Sequence, residues 1–352
     1  MPGKCASLVL IAMGLAALVG CGSNSTHTAY VTLPTSNAVA AYRIDNNSAQ
    51  FTAIVGSPYP AGTSPSSVLV HPSKHFAYAA NQVGNDISLL PINSTIGSLT
   101  ETLPRTAAGL APASLLMDTP GNFLFALNQV SSSISVYSIN SGSGALAPVA
   151  GSPFSTFQNP VAFTLAPSGK FLYVVNANLA AVFAYTVNSG VLQPVTNLPV
   201  QVGNGPSGIT VDPTEKWVYV ANSTDNSVSV LSINSSTGAL TLVSSFAVGT
   251  DPRSIAVQGQ YVYVANLGSS NISVFSVNAT TGVLTQITNS PFSAGGAPLF
   301  VAIDPDGKFL YTGSQSGSSI SVMSITSSTG ALTATSQSAS TGVAPSSMSV
   351  TK

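Results

Sequence analysis

Few side chains in this sequence could do acid–base or anion-binding chemistry. The 352 residues include nine Lys and Arg and ten Asp and Glu, which is 5% charged residues, against roughly 25% in an ordinary soluble domain. Asp251 and Arg253 lie on either side of a proline. An Arg here could hold a carboxylate or phosphate with two hydrogen bonds, and the Asp could hold that Arg or act as a general base. The alternative is an ion pair that only braces its own loop.

Three more charged residues, Arg105, Asp86 and Asp225, fall in loops that the repeat described below directs to the same face. We consider Arg253, Arg105 and Asp86 candidate ligand-binding residues. Asp251 and Asp225 are candidate catalytic bases, because hydrolysis needs a base to activate water. We predict no metal and no cofactor, since no central acidic cluster is visible, although Asp86, Asp225 and Asp251 could converge on a cation.

The other titratable residues have simpler interpretations. Asp118, Asp212 and Asp304, with His71 in the same register, end strands at tight turns and are predicted to cap those turns. His27 falls in a segment predicted to be a flexible tether, where it could at most be an incidental metal ligand. A nucleophile elbow, a glycine-rich phosphate loop and a paired-cysteine metal motif are all absent from the sequence.

The overall charge excludes two classes of partner. The formal net charge is −1, so the chain has no basic footprint for nucleic acid or for an anionic membrane surface. Hydrophobic residues make up 44% of the chain, which is enough for a large core. Gly, Pro, Ser, Thr and Asn recur at short intervals, which is typical of many short strands joined by turns.

These residues are positioned by one repeated unit. A Tyr-Val-Ala-Asn-like motif recurs along the chain at Tyr78, Phe125, Tyr173, Tyr219, Tyr263 and Tyr311, with a weaker first copy at Tyr30. By subtraction the successive motifs lie 48, 47, 48, 46, 44 and 48 residues apart. A spacing of this size is typical of one four-stranded propeller blade per repeat. Each unit opens with an innermost strand at a proline, and the seven prolines are Pro65, Pro112, Pro160, Pro206, Pro252, Pro298 and Pro345.

The two ends of the chain together make one blade. The first copy, Tyr30 to about Val55, supplies three strands but no innermost strand before them, and the segment from Pro345 to Thr351 is an innermost strand with nothing after it. We therefore predict an all-β, seven-bladed propeller of four-stranded antiparallel blades over residues 30–352. The C-terminal strand is predicted to join the three N-terminal strands and close the ring.

The N-terminus is predicted to be an export signal. Lys4 precedes an apolar stretch from Cys5 to Leu18 that is too short for a permanent membrane span. Residues 1–20 are therefore predicted to be a signal peptide, and residues 21–29 a short flexible tether. Cys5 and Cys21 are the only cysteines, and Cys5 lies in the leader, so no intrachain disulfide is expected in the mature protein.

The residues Leu18-Val19-Gly20-Cys21 resemble the lipobox of bacterial lipoproteins. This resemblance implies that Cys21 carries the lipid anchor, the alternative being a plain signal peptide with an incidental cysteine. Gly22 stands in place of the aspartate that retains many enterobacterial lipoproteins at the inner membrane. We therefore expect the outer membrane or the cell surface, with the anchor as the only membrane contact.

The Tyr-Val-Ala-Asn signatures, the Pro167-Ser-Gly-Lys170 turn type and the Asn234-Ser-Ser-Thr-Gly hairpin type resemble those of YVTN propellers and the seven-bladed lactonase-like family. The resemblance covers residues 30–352. That family includes 6-phosphogluconolactonases, so it implies lactone hydrolysis or lactone closure as a candidate activity. No catalytic motif of the family maps onto this chain residue for residue, and fold alone does not confer activity.

The sequence leaves two functions open. The one it favours is a monomeric, non-catalytic binding or scaffold module at the cell envelope, with an envelope protein, a peptide or a polysaccharide as partner. The alternative is a lactonase-like hydrolase acting on a small extracytoplasmic lactone, with Arg253 as the anion clamp and Asp251 or Asp225 as the base.

Overall fold

A computed structural model of the chain describes residues 26–195 and 199–351. They form seven antiparallel sheets of four or five strands. The predicted seven-bladed propeller, closed by the C-terminal strand, is confirmed. Within the described residues the single helix is the 3₁₀ turn Pro34–Ser36, and no helix there is long and apolar enough to span a membrane.

The strands follow one another blade by blade. Blade 1 contains β1 (Thr26–Leu33), β2 (Ala38–Asp45), β3 (Phe51–Ala53) and β4 (Tyr59–Pro60). Blade 2 contains β5 (Pro65–Val70), β6 (Phe76–Asn81), β7 (Asp86–Pro91) and β8 (Thr102–Ala107). Blade 3 contains β9 (Pro112–Met117), β10 (Phe123–Asn128), β11 (Ser133–Ile139), β12 (Leu146–Pro148) and β13 (Phe154–Ser155). Blade 4 contains β14 (Pro160–Leu165), β15 (Phe171–Asn176), β16 (Ala181–Asn188), β17 (Val191–Pro194) and β18 (Val200–Gln201).

The remaining strands complete the ring. Blade 5 contains β19 (Pro206–Val211), β20 (Trp217–Asn222), β21 (Ser227–Ile233) and β22 (Leu240–Ala247). Blade 6 contains β23 (Pro252–Gln258), β24 (Tyr261–Asn266), β25 (Asn271–Val277), β26 (Leu284–Gln286) and β27 (Phe292–Ser293). Blade 7 contains β28 (Pro298–Ile303), β29 (Phe309–Ser314), β30 (Ser319–Ile325) and β31 (Leu332–Ser340). The last strand, β32 (Met348–Thr351), returns to blade 1.

Blade 1 is closed by the two ends of the chain. Strand β32 lies innermost and pairs antiparallel with β1, with Ala29 opposite Val350 and Tyr30 opposite Ser349. The predicted start of the propeller at residue 30 is therefore too late, because Thr26–Ala29 form the first half of a strand rather than a tether. The tether was predicted from polar residues without a signature aromatic, but pairing with β2 and β32 stabilises these residues as a strand. Residues 21–25 lie outside the described part of the chain.

The core consists of layers between neighbouring blades. The second strand of a blade is buried on both faces, as the sequence predicted, because each blade is covered by two others. The signature tyrosine of this strand connects neighbours: Tyr78 Oη donates to the carbonyl of Gly144 at 2.7 Å, and Tyr263 Oη to that of Gly330 at 3.1 Å. Each of these glycines lies in the outer hairpin of the next blade, so the motif binds consecutive blades together.

The innermost strands surround a central channel and contact one another in a closed ring. Serine hydroxyls form many of these contacts. Ser66 Oγ donates to the carbonyl of Pro112 at 2.8 Å, and Ser207 Oγ to that of Pro252 at 2.6 Å, each in the next blade. Since the inner edge of each sheet has unpaired backbone groups, these hydroxyls satisfy atoms that would otherwise face the channel.

The two faces of the ring differ in construction. On one face, which we call the loop face, the loops that enter the innermost strands bond to the loops that leave the second strands, as Gln82 N does to Ser64 O. On the opposite face, which we call the turn face, lie the tight turns between first and second strands and between third and fourth strands. Two of the candidate residues predicted in loops belong to strands instead: Arg105 lies within β8, and Asp86 is the first residue of β7.

Candidate functional site

The residues that directly follow the seven repeat prolines occupy equivalent positions where the innermost segments leave the loop face. They are Ser66, Ala113, Val161, Ser207, Arg253, Leu299 and Ser346. Arg253 is the single charged residue among these seven positions. A cavity of about 220 Å³ opens at the mouth of the channel between blades 1, 2, 3 and 7, and its lining includes the paired serines Ser66–Ser67 and Ser346–Ser347.

Arg253 lies on the next blade around the ring. Ser254, its neighbour, accepts a hydrogen bond from Val301 N of blade 7 at 3.2 Å, and Val301 lines the cavity. The guanidinium forms an ion pair with Asp251, in which Nη2 donates a hydrogen bond to Oδ2 at 3.2 Å and Nε lies 2.8 Å from Oδ1. The Arg253 side chain is 47% exposed, so the pair lies at the surface of the loop face. Nη1 makes no hydrogen bond within the described residues.

The position of Asp251 is set by its loop. Its backbone adopts φ of 52°, in the left-handed region, which is uncommon for a residue other than glycine. Its amide donates to Asn226 Oδ1 at 2.9 Å, and its carbonyl accepts from Leu267 N at 2.9 Å. These bonds hold the carboxylate against Arg253. Of the two interpretations of the sequence, the structure contains the loop-bracing ion pair, which leaves one guanidinium nitrogen for a ligand.

Asp225 is near this pair but is engaged in its own loop. Its carboxylate accepts from Asn204 N at 2.7 Å and from Asn204 Nδ2 at 3.1 Å. It directly precedes Asn226, which holds the Asp251 amide. Asp225, Asp251 and Arg253 therefore belong to one continuous stretch of the loop face on blades 5 and 6.

Asp86 and Arg105 form a separate cluster on blade 2. Arg105 pairs with Glu101, Nε to Oε1 at 2.7 Å and Nη2 to Oε2 at 3.0 Å, and Glu101 with nearby Asp86 raises the pKa of the guanidinium. Glu101 also accepts from Ser88 Oγ at 2.6 Å. Blade 2 is three blades from blade 5 and from blade 6 by the shorter way around the ring, so the five candidates form two groups rather than one pocket.

Glu101 and the channel serines are site residues that the sequence analysis missed. Glu101 lies outside the fourth strand of blade 2, where the strand register could not be predicted from the repeat. The serines had a visible signal, because Ser66, Ser207 and Ser346 all follow one of the seven repeat prolines. That recurrence indicates a shared position on the channel wall. The last innermost strand was predicted from Pro345 but begins only at Met348.

The turn face contains the capping residues that the sequence predicted. Asp118 Oδ1 accepts from Phe123 N at 2.8 Å, Asp212 Oδ1 from Trp217 N at 2.8 Å, and Asp304 Oδ1 from Phe309 N at 2.6 Å. His71 has a second role, because its Nε2 lies 2.9 Å from the carbonyl of Gly121 in the next blade. The capping predictions are confirmed, and His71 also connects two blades.

His27 differs most from its prediction. It is only 2% exposed, on β1, with Nδ1 4.0 Å from Asp304 Oδ2 and Nε2 3.4 Å from Asp306 Oδ2. The three side chains each offer one ligand atom within 4.8 Å of the others, so they are the group among the described residues that could hold a metal ion. Each imidazole nitrogen faces one carboxylate of blade 7. This arrangement fits a histidine that connects blades 1 and 7, and it fits a metal ligand equally well.

Comparisons with known proteins agree with this architecture. The sequence matches the family described as "Lactonase, 7-bladed beta-propeller" over residues 22–161 and 166–297. No curated protein sequence matches the chain at a significant level.

Solved structures share the whole fold at low sequence identity. A Bacteroides fragilis protein described as a "putative 6-phosphogluconolactonase" has a TM-score of 0.82 and 20% identity, covering 94% of this chain and 99% of that one. A periplasmic gluconolactonase from Pseudomonas aeruginosa has a TM-score of 0.80 and 18% identity, covering 93% and 99%. With the family match over most of its length and the seven closed blades, this chain belongs to the seven-bladed β-propeller lactonase family.

Proposed function

We propose that this protein hydrolyses a sugar-type lactone outside the cytoplasm, at the mouth of the channel on the loop face. Membership of the lactonase family supports this alternative over a non-catalytic scaffold. The observation that carries it at the residue level is Arg253, the one charged side chain among the seven equivalent positions around the channel. The nearby serine hydroxyls suit a substrate with many hydroxyl groups.

The proposed chemistry follows from the change in charge during hydrolysis. Water adds to the lactone carbonyl, negative charge develops on the carbonyl oxygen, and the ring C–O bond breaks to give a hydroxy acid. A guanidinium beside the carbonyl stabilises the developing oxyanion and then the product carboxylate. Asp251 accepts the proton of the attacking water, as a general base does, and returns it to the ring oxygen as the C–O bond breaks. Asp225 is the second candidate for that base.

The proposed location rests on two independent supports. The first is the predicted leader of residues 1–20 with Cys21 as the lipid-anchored residue, both of which lie outside the described residues. The second is the structural similarity to a periplasmic gluconolactonase. An aldonolactone supplied in the periplasm or outside the cell is a substrate that such a location can reach.

The test is hydrolysis of a panel of lactones by the purified mature chain. The panel contains glucono-δ-lactone, 6-phosphoglucono-δ-lactone and an N-acyl homoserine lactone, with acid release followed against the spontaneous rate. We expect saturable hydrolysis of at least one sugar lactone. In Asp251→Asn we expect the rate to fall by a factor of about ten or more. Asp118→Asn, a turn-face capping residue, is the matched control and keeps the wild-type rate. Rates equal to the spontaneous ones across the panel would refute the proposal.

A further inference from the structure

A second cavity lies on the turn face, away from the channel. Its volume is about 300 Å³, and it lies between blades 5 and 6. The residues around it include Trp217, Tyr219, Val257, Val277 and Asp212. A volume of this size is at the lower end of the range for small-molecule sites.

Two of the residues around this cavity each carry a buried hydrogen-bond donor without a partner. Trp217 is 8% exposed and Tyr219 is 0% exposed. Trp217 Nε1 and Tyr219 Oη make no hydrogen bond within the described residues. Leaving a buried donor unpaired costs about 1–3 kcal/mol, so two of them beside one cavity indicate that a group there accepts from them.

The carboxylate in the cavity wall does not supply that acceptor. Asp212 Oδ1 accepts from the amides of Lys216 and Trp217, both at 2.8 Å, and Oδ2 accepts from the amide of Thr214 at 3.1 Å and from the Thr214 hydroxyl. Burial, with a contribution from Asp212, raises the pKa of Tyr219, so the phenol remains a neutral donor. No Lys or Arg lines the cavity. This wall therefore disfavours an anion and suits an uncharged acceptor.

The cavity results from a difference between blade 6 and the other blades. The turn between first and second strands has five residues in blades 2, 3, 4, 5 and 7 but only two, Gly259 and Gln260, in blade 6. Elsewhere these turns bond to each other from blade to blade, as Thr119 Oγ1 does to Pro167 O and Ser168 Oγ to Glu215 Oε2. Within the described residues no side-chain hydrogen bond joins the short turn of blade 6 to the turn of blade 5, and both turns line this cavity.

The lone tryptophan adds to the difference. Trp217 occupies the position held by Phe76, Phe171 and Phe309 in other blades. The hydroxyls of Tyr173 and Tyr311 also lack a partner in the described residues, but a phenylalanine stands beside each of them instead of an indole. Only blade 5 combines the indole donor, the phenol donor and the shortened neighbouring turn.

We propose that this cavity is a second ligand site, which takes a small, uncharged, mainly apolar molecule whose carbonyl oxygen accepts from Trp217 Nε1 and Tyr219 Oη. The site is separate from the channel mouth, so it does not depend on the lactonase proposal. Valine, proline and the indole ring contact the apolar body of the ligand, and the two donors select for its oxygen.

The indole group permits a direct test, because Trp217 is the only tryptophan of the chain. A ¹⁵N-labelled mature protein has one indole N–H resonance, which is followed during titration with cyclohexanone and, separately, with methylenecyclohexane. The two probes have the same ring, but only the ketone has an acceptor oxygen. We expect a saturable downfield shift of the indole proton with the ketone and not with the alkene.

Three variants locate the binding. Val277→Phe fills the cavity and should abolish the saturable shift, and Tyr219→Phe should weaken cyclohexanone binding about threefold or more, since one of two hydrogen bonds is lost. Tyr263→Phe is the matched control, because that hydroxyl donates to Gly330 in another blade interface. The proposal is wrong if both probes shift the resonance equally, if Val277→Phe responds like wild type, or if the ketone has no effect because water alone fills the cavity.

Discussion

At the scale of single residues, the signature tyrosines fall into two groups that share a position but differ in bonding. Tyr30, Tyr78 and Tyr263 donate to a glycine carbonyl of the next blade. Tyr173, Tyr219 and Tyr311 have no partner for the hydroxyl within the described residues. The same substitution should therefore have different effects on stability in the two groups.

We predict that Tyr78→Phe lowers the free energy of unfolding by about 1–2 kcal/mol, because the carbonyl of Gly144 loses its partner while remaining buried. Tyr173→Phe removes a buried hydroxyl that has no partner within the described residues, so it should leave the free energy of unfolding unchanged or raise it. Urea unfolding followed by circular dichroism measures both. Equal losses in the two variants would show that the hydroxyl bonds do not distinguish the blades.

Some contacts of the candidate site could be predicted from the sequence, and others could not. The Asp251–Arg253 pair was predictable because both residues belong to one short loop, so no knowledge of packing was needed. Glu101 was not, because its contact with Arg105 depends on the path of the chain before an outer strand. His27 was misassigned for a similar reason: its partners Asp304 and Asp306 are brought to it only by ring closure.

At the scale of elements, the closing strand β32 connects the two ends of the chain. It pairs with β1, and its approach segment bonds to blade 2, with Ser346 Oγ donating to Pro65 O at 3.2 Å and Ser347 Oγ accepting from Val68 N at 3.4 Å. Such a closure removes the open edges that would otherwise leave backbone groups unpaired.

Deletion of residues 345–352 should therefore destabilise the entire ring and not only blade 1. We expect a lower melting temperature and a broader transition, since the innermost strand of a closed blade is lost. Deletion of Lys352 alone is the control and should melt like the full-length protein. A truncated chain whose melting curve superimposes on that of the full chain would contradict the proposed role of β32.

The elements themselves were the most predictable level. Five of the seven second strands carry an aromatic-apolar-apolar-Asn sequence, at residues 78–81, 125–128, 173–176, 219–222 and 263–266. Local residues therefore indicate strand, burial and turn together in these blades. The cavity between blades 5 and 6 was not predictable, although the 44-residue spacing from Tyr219 to Tyr263 was visible in the sequence. A short repeat indicates a shortened turn, but whether a cavity remains beside that turn depends on how the two blades pack.

At the scale of the whole molecule, stability depends on the interfaces between blades, and the six signature tyrosines buried there make it sensitive to alkali. Burial raises the pKa of all six signature tyrosines. In the unfolded chain a tyrosine has a pKa of about 10. The native state thus keeps its protons at a pH where the unfolded state has released them.

The sign of the pH dependence follows from linkage. Stability from these groups is fully present below pH ~10 and falls as the pH rises above that value, because unfolding then releases up to about six protons. We predict that phenolate absorbance at 295 nm and the loss of circular dichroism occur in one transition well above pH ~10. Ionisation of all tyrosines near pH ~10 with the fold intact would contradict the buried positions.

The two faces of the ring differ in proposed function. We assign substrate chemistry to the channel mouth on the loop face and place the second ligand site on the turn face. The central claim is that Arg253, and no other arginine of the loop face, serves hydrolysis. Arg105 is a close match for comparison, because it also forms an ion pair with a carboxylate, on blade 2.

The decisive measurement is kcat/KM for the best sugar lactone in Arg253→Ala beside Arg105→Ala, with spontaneous hydrolysis subtracted. We predict a loss of about tenfold or more for Arg253→Ala, equivalent to at least ~1.4 kcal/mol of transition-state stabilisation, and a value within about twofold of wild type for Arg105→Ala. Equal kcat/KM values in the two folded variants would contradict a catalytic site at the channel mouth.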